Sequence, residues 1–278
     1  MSFDLKRYVR MAEDADKIIT PRLQSWLLRH GDEGVPEDVA NLIYEQMVAQ
    51  PRYRGESFSS SSAGMCLRRQ VLMYLNMPQG SVDPQLQNIF NDGKWRHMRW
   101  QAMLLTAGIL DRMEFSLPWP NKRSVGTMDG LGVVPDDHPR VEWRGKVFGF
   151  ELKGVSTFQY GKYAKKGARP KDDHLNQVHR YFLSSGVDLF VIIYEDKTTQ
   201  AWTEWVIEPE PALVKEQKVE LNELNRAVDR EELPSMLPDC KRHTGAEWRS
   251  CPFGGAGGIC ESAGLWPAEK LLERAKRK

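Results

Sequence analysis

Asp129, Glu151, Lys153, Gln177 and Tyr181 are the residues of this chain whose types and spacing could do chemistry together. Two carboxylates that meet supply hard oxygen donors, and with a substrate phosphate they make a site for Mg²⁺ or Mn²⁺. Such an ion polarises a phosphodiester and lowers the pKa of a bound water. A lysine beside it orients that water or stabilises charge developing at phosphorus. His97 could add an imidazole, which shifts preference from Mg²⁺ towards Mn²⁺. Taken singly, each piece has an ordinary explanation. Glu-x-Lys is common on solvated strands, Asp-Gly is an ordinary turn, and His97 within Lys94-Trp95-Arg96-His97 could be a surface residue. The reading rests on their order and on the elements expected to carry them.

Glu151 and Lys153 lie two apart on an expected strand from Val141 to Val155, so they share a face while Leu152 turns into the core. Asp129, in Gly126-Thr127-Met128-Asp129-Gly130, is expected to end or bend the preceding strand, Ser124 to Val134. If those strands are neighbours, the two carboxylates can meet. Gln177 and Tyr181 are spaced i, i+4 on a helix expected from Asp172 to Ser185 and share one face of it. From there they could bond a DNA backbone or steady Lys153. Further strands are expected over Arg112 to Trp119, Leu189 to Tyr194 and Ala201 to Ile207. Helices are expected from Pro36 to Gln50, where Val39, Leu42, Ile43 and Met47 recur at helical spacing, from Cys66 to Leu72, from Gln85 to Ala107 with His97 on it, and from Pro211 to Glu231. Asp136 to Pro139 reads as a turn, and Gly161 to Lys171 as a basic loop.

The order is that of an α/β domain with a mixed central sheet flanked by helices. Residues 1–55 are expected to form a helical N-terminal extension, 56–235 the core, and 236–278 a cysteine-rich clasp that packs on the core through Cys66.

The chain is 41% hydrophobic and 28% charged, enough for a sizeable core, and its formal net charge of +1 leaves any nucleic-acid contact to local clusters. One such cluster is Lys162, Lys165, Lys166, Arg169 and Lys171, with Tyr160 and Tyr163 interleaved. Phosphate contact with base stacking suits single-stranded DNA, and a solvated loop explains the same lysines. The N-terminus Met1-Ser2-Phe3-Asp4-Leu5-Lys6 is charged where a signal peptide needs an apolar stretch, and no apolar run approaches a membrane span. A soluble cytoplasmic protein with no membrane partner is the expectation. In a reducing compartment, Cys66, Cys240, Cys251 and Cys260 are more in keeping with thiols or metal ligands than with disulfides. Their gaps are too long for zinc knuckles, and four thiolates are what a 4Fe–4S cluster needs. A structural zinc, or four buried thiols packing as small hydrophobes, are the alternatives. Gly254 to Gly258 lacks the Lys-Ser/Thr ending of a phosphate-binding loop and reads as a spacer.

Together these residues resemble the RecB-like branch of the PD-(D/E)XK nucleases, and within it the iron–sulfur exonucleases associated with CRISPR systems and also encoded by phages. The resemblance runs from about Ser59 to Cys260. It includes Cys66-Leu67-Arg68-Arg69, Gly93 with His97, Glu114, Gly126 to Gly130, Glu151-Leu152-Lys153, Gln177-Val178-His179-Arg180-Tyr181 and the three late cysteines. It implies a restriction-endonuclease-like core with metal held by His97, Asp129, Glu151 and the Leu152 carbonyl. Lys153 would be the catalytic lysine, with Gln177 and Tyr181 completing the site. It also implies a mainly structural cluster on the four cysteines and cleavage of DNA with Mn²⁺ or Mg²⁺, commonly from ends and often on single strands. Phage recombination, repair and spacer acquisition are the implied settings, with recombination or CRISPR adaptation proteins as partners. The rival expectation is a non-catalytic DNA-binding or partner subunit with a structural zinc.

Overall fold

A mixed sheet organises the chain, in a computed structural model that describes residues 15–49, 56–77, 79–80, 82–254 and 259–260. The ends of the expected N-terminal extension and clasp, and the glycines at 255, 257 and 258, lie outside those residues. The strands are β1 (Phe58–Ser59), β2 (Arg112–Trp119), β3 (Ser124–Val133), β4 (Val147–Val155), β5 (Leu189–Asp196) and β6 (Trp202–Ile207). Their order is β1-β3-β4-β5-β6, with β2 also paired to β3. β4 and β5 run parallel, and β2, β4 and β6 meet their neighbours β3, β3 and β5 antiparallel. Every residue of β5 is buried, as a parallel strand covered on both faces must be, which is why its sequence reads as a continuous apolar run.

The helices are α1 (Thr20–His30), α2 (Glu37–Val48), α3 (Leu67–Tyr74), α4 (Pro84–Thr106), α5 (Thr157–Tyr163), α6 (Asp172–Ser185), α7 (Pro211–Asp229), α8 (Pro238–Lys241) and α9 (Gly245–Ser250). They cover both faces of the sheet. On one face Trp100 and Leu104 of α4 and Leu23 of α1 pack with Phe148, Phe150, Leu152 and Ile193. On the other, Leu175, Val178 and Tyr181 of α6 pack with Met128, Val155, Ile192 and Tyr194. The alternation along β4 therefore sends Leu152 towards α4 and leaves Glu151 and Lys153 on the side of α6. Ile18, Ile19 and Leu23 belong to the main core, so the described portion of the N-terminal region seals the sheet. The Glu204 carboxylate of β6 accepts the N–H groups of Ile18, Ile19 and Thr20, satisfying donors that a helix start leaves open.

Two sequence expectations are corrected. The strand expected from residue 141 begins at Val147, because Val141–Trp143 form a 3₁₀ turn. Gly145 then takes φ +69° and gives its N–H to the Val134 carbonyl, a left-handed turn that glycine makes without strain. The loop expected from Gly161 is entered by α5, which runs through that glycine to Tyr163 after the Ser156 hydroxyl accepts the Gln159 N–H.

The rotation of α4 is set by charge. Glu195 on β5 is buried and receives Arg96 (2.6 Å) and Arg99, one on each side of His97. Arg96 crosses β4 at Gly154, where a Cβ would stand 3.0 Å from the arginine Cδ. Removing the partner of buried charges costs about 3–5 kcal/mol, so Glu195→Ala should lower the urea unfolding free energy by that order. Asp92, 52% exposed and 3.2 Å from Arg96, is a surface i, i+4 pair worth about 0.3–0.5 kcal/mol. Asp92→Ala is the matched control, and equal losses in the two variants would contradict the assignment of Glu195 as the anchor.

Candidate active site

The site lies where β3 and β4 diverge. Their register pairs Val133 with Val147 through to Gly130 with Phe150, and there the ladder stops. At the other end of β3, β1 pairs with Ser124 and Val125. Between these two partners the strand keeps its pairing to β2 and is also met by side chains. The Asp129 Oδ2 accepts the Leu152 N–H at 2.7 Å, replacing a strand carbonyl. The Thr127 carbonyl accepts the Tyr181 hydroxyl at 2.8 Å, and the Asp129 carbonyl accepts the Gln101 amide at 2.8 Å. Asp129 thus lies within its strand, not at the end of it, and marks the end of pairing to β4. Gly126 makes the fork passable: a Cβ there would stand 2.4 Å from the Tyr181 ring.

Into this fork the elements deliver Asp129 and Glu151, both buried. His97 on α4 places Nδ1 3.0 Å from Asp129 Oδ1. From the opposite face, Lys153 Nζ donates to Glu151 Oε1 at 2.7 Å and to Gln177 Oε1 at 2.9 Å. The Gln177 amide donates to Glu151 Oε1 at 2.8 Å and to the Tyr181 hydroxyl at 2.9 Å. Gln177 and Tyr181 are themselves buried. Gln177 thus accepts from Lys153 directly, and Tyr181 holds Gln177.

The charges divide unequally. Burial raises the Glu151 pKa to about 7, reinforced by Asp129 and opposed by Lys153 and His97. Asp129 is also pushed upward by burial, but His97, Lys153 and the Leu152 N–H outweigh it and hold this carboxyl below its usual range. Burial disfavours the His97 and Lys153 cations, yet Asp129 and Glu151 raise both pKa values. One carboxylate is firmly ionised beside another that is reluctant.

Two carboxylates and an imidazole are suitable donors for a hard divalent ion. Glu151 Oε2 is buried with no hydrogen-bond partner, an acceptor open to a positive ligand in an otherwise bonded set. Among the described residues no group of three or more His, Cys, Asp or Glu side chains stands in metal-holding arrangement. The fit is therefore one of donor chemistry and of that orphaned oxygen. The Leu152 side chain lies in the core.

Sequence reasoning assigned no role to Gln101, Gln46 or His174. Gln101 lies one turn beyond His97, and its amide also reaches Glu114 at 3.0 Å. The Gln46 amide donates to the same Glu114 oxygen at 2.8 Å. Glu114 holds φ +50°, a left-handed conformation that costs about 1–2 kcal/mol, and it sits between Met113 and Phe115, whose partners flank Asp129. The i, i+4 step from His97 was the available signal for Gln101; Gln46 had none.

The four cysteines are free thiols. Cys66 precedes α3, Cys240 lies in α8, Cys251 follows α9, and Cys260 packs with Leu72 and Phe253. Burial raises the Cys240 pKa, and Cys66, Cys260 and Cys251 add to the shift. Arg68 donates to the Cys260 carbonyl at 2.8 Å and to the Pro234 carbonyl at 3.0 Å, tying α3 to the tail. In the basic segment, Lys162 sits 4.4 Å over the exposed Phe158 ring and Lys165 is exposed along with Lys166. Arg169 pairs with Glu210 at 2.6 Å. Tyr160 and Tyr163 are half-buried and pack at the edge of the core cluster under α6.

No family model matches the chain, and no curated protein matches it. Among solved structures it is similar to LHK-Exo in complex with dAMP, at 15% identity over 64% of this chain and 90% of that one, with a TM-score of 0.48. It is similar to an alkaline exonuclease (LHK-Exo) from Laribacter hongkongensis at 16% identity, 64% and 90% coverage and a TM-score of 0.46. For SSO0001 the values are 14% identity, 77% and 91% coverage and a TM-score of 0.44. At these levels no residue is assigned a role by likeness.

The raised pKa of Glu151 has a consequence for stability. The folded state holds this proton more tightly than the unfolded chain, so that advantage is present below pH 4.5 and is lost as pH rises to about 7. In chelator, the wild-type melting temperature should fall relative to Glu151→Gln across that window. Parallel curves would mean that Glu151 is not the reluctant carboxylate.

Proposed function

We propose that the chain is a metal-dependent DNA exonuclease that hydrolyses phosphodiester bonds on single-stranded or end-containing DNA. One observation carries the reading: Lys153 and Gln177 converge on one oxygen of Glu151 beside Asp129, while the other Glu151 oxygen is buried without a partner. Asp129 and Glu151, with His97 and the Leu152 carbonyl, would hold Mn²⁺ or Mg²⁺, which when bound polarises the phosphodiester and acidifies a water. Lys153 keeps its proton and serves as a fixed positive donor towards the phosphate. Gln177, held by Tyr181, fixes that ammonium. Lys162, Lys165 and Lys166 would meet the DNA backbone, with Arg169 able to join if it leaves Glu210. The preference for ends and single strands rests on the family resemblance, as do the settings of phage recombination, repair or spacer acquisition in the cytoplasm of a bacterial or phage-infected cell. Among the described residues no helix is long and apolar enough to cross a membrane.

The four cysteines are proposed to hold a 4Fe–4S cluster of structural role, closing α3 against the tail. The donor set suits it in kind: four free thiols, three of which contribute to the raised pKa of the fourth, Cys240.

Single-stranded DNA labelled at one end or the other should disappear in Mn²⁺ while a covalently closed circle survives, and chelator should stop the reaction. Glu151→Ala and Lys153→Ala should each lower the rate at least about a hundredfold. Wild-type rates in either variant under matched metal would overturn the site. Anaerobically purified protein should be brown and contain iron and sulfide. Stoichiometric zinc without iron would overturn the cluster alone, and no cleavage by intact protein would favour a DNA-binding or partner subunit.

A further inference from the structure

His174 is a half-buried imidazole that the proposed hydrolysis does not use. It stands one turn before Gln177 on α6, on the face that carries Gln177 to Lys153. Its Nδ1 meets the Tyr194 hydroxyl. Tyr194 is the β5 register partner of Lys153, and parallel neighbours project side chains to the same side. Lys153, Tyr194, His174 and Gln177 therefore form one wall of the site, continuous with the fork.

The hydrogen bonding selects the form of the ring. Tyr194 Oη accepts the Lys171 N–H at 2.8 Å and, among the described residues, has no acceptor for its own proton other than His174 Nδ1. With Nδ1 accepting, a neutral imidazole carries its proton on Nε2. The ring is held neutral: burial comes first, and the Lys153 and Lys171 charges add to it, lowering its pKa to about 3. Nε2 makes no hydrogen bond within the described residues. What faces outward is thus a fixed N–H donor with no acceptor capacity, next to two lysines. Asp172 and Asp173 on the first turn of α6 are exposed.

A donor that can neither accept nor change charge near neutrality suits a group that only accepts. We infer that His174 Nε2–H, oriented by Tyr194, binds a non-bridging oxygen of a substrate phosphate adjacent to the one beside Lys153. The inference rests on the reading of this site as one for DNA, and assigns it a further contact to the DNA backbone. It makes His174 a substrate-positioning donor with no role in proton transfer.

The test pairs a protein change with a substrate change. His174→Phe keeps a ring and removes the donor; His174→Gln keeps an N–H and serves if the first variant does not fold. Each is compared with wild type on single-stranded oligonucleotides carrying one neutral methylphosphonate, moved one position at a time. Binding is measured in chelator and kcat/KM in Mn²⁺. A hydrogen bond to an ionised oxygen predicts a loss of about tenfold or more for His174→Phe on native DNA. One methylphosphonate position should lower wild-type binding similarly and leave His174→Phe indifferent, with His174→Gln showing a smaller effect of the same pattern. Native-like binding by His174→Phe, or equal sensitivity of wild type and variant at every position, would overturn the inference. A merely structural role moves all substrates together and gives that second result. If the protein binds with the expected pattern but cleaves nothing, the nuclease reading falls and this contact stands. If it binds no DNA, both fall.

Discussion

The structure turns on a strand separation. β3 and β4 pair only as far as Gly130 and Phe150, and beyond that point the Leu152 N–H is satisfied by the Asp129 carboxylate. A buried backbone donor left unpaired costs about 1–3 kcal/mol, so the strands can diverge here only because a side chain replaces the missing ladder bond. The same carboxylate that repairs the sheet is then presented to His97. Opening the sheet and building the site are one event.

The fork has walls on both faces because helices cover both faces. α4 brings His97 and Gln101 from one side, its rotation held by Glu195 between Arg96 and Arg99. α6 brings Gln177 and Tyr181 from the other. Placing two carboxylates and two basic groups in a largely buried cleft costs desolvation of all four. Mutual pairing offsets this for Asp129, His97 and Lys153, whose charged forms are favoured on balance, but not for Glu151. The uncompensated negative charge and the orphaned Oε2 reside on the same residue, and that coincidence is the physical core of the proposed ion site.

The tail forms a second, separate centre. Phe253 and Cys260 pack against Leu72 of α3 with Met236 and Leu233 beside them, and Arg68 ties the same helix to two tail carbonyls. Contacts so distant in sequence carry a loop-closure cost, which the proposed cluster on these thiols would help to offset.

Much of this was legible in the order of residues. The strand from Arg112 to Trp119 and the helix from Asp172 to Ser185 have the bounds that their patterns indicated, because periodicity is a local property. Glu151 and Lys153 share a face for the same reason, and the Gln177–Tyr181 spacing placed both on one side of a helix. Local pattern failed at residues 141–146, where Gly145 turns the chain, and at Gly161, which a helix absorbs. It also gave no sign that Tyr160 and Tyr163 would be half-buried against the core. By itself the sequence determined which side chains are able to act and which face of its own element each occupies. Only the tertiary structure decided that Asp129 would hold β3 and β4 apart, that Gln46 and Gln101 would brace Glu114, and that Tyr194 would set the proton on His174. Those outcomes depend on hydrogen-bond partners brought together from distant segments, and only the packed fold supplies them.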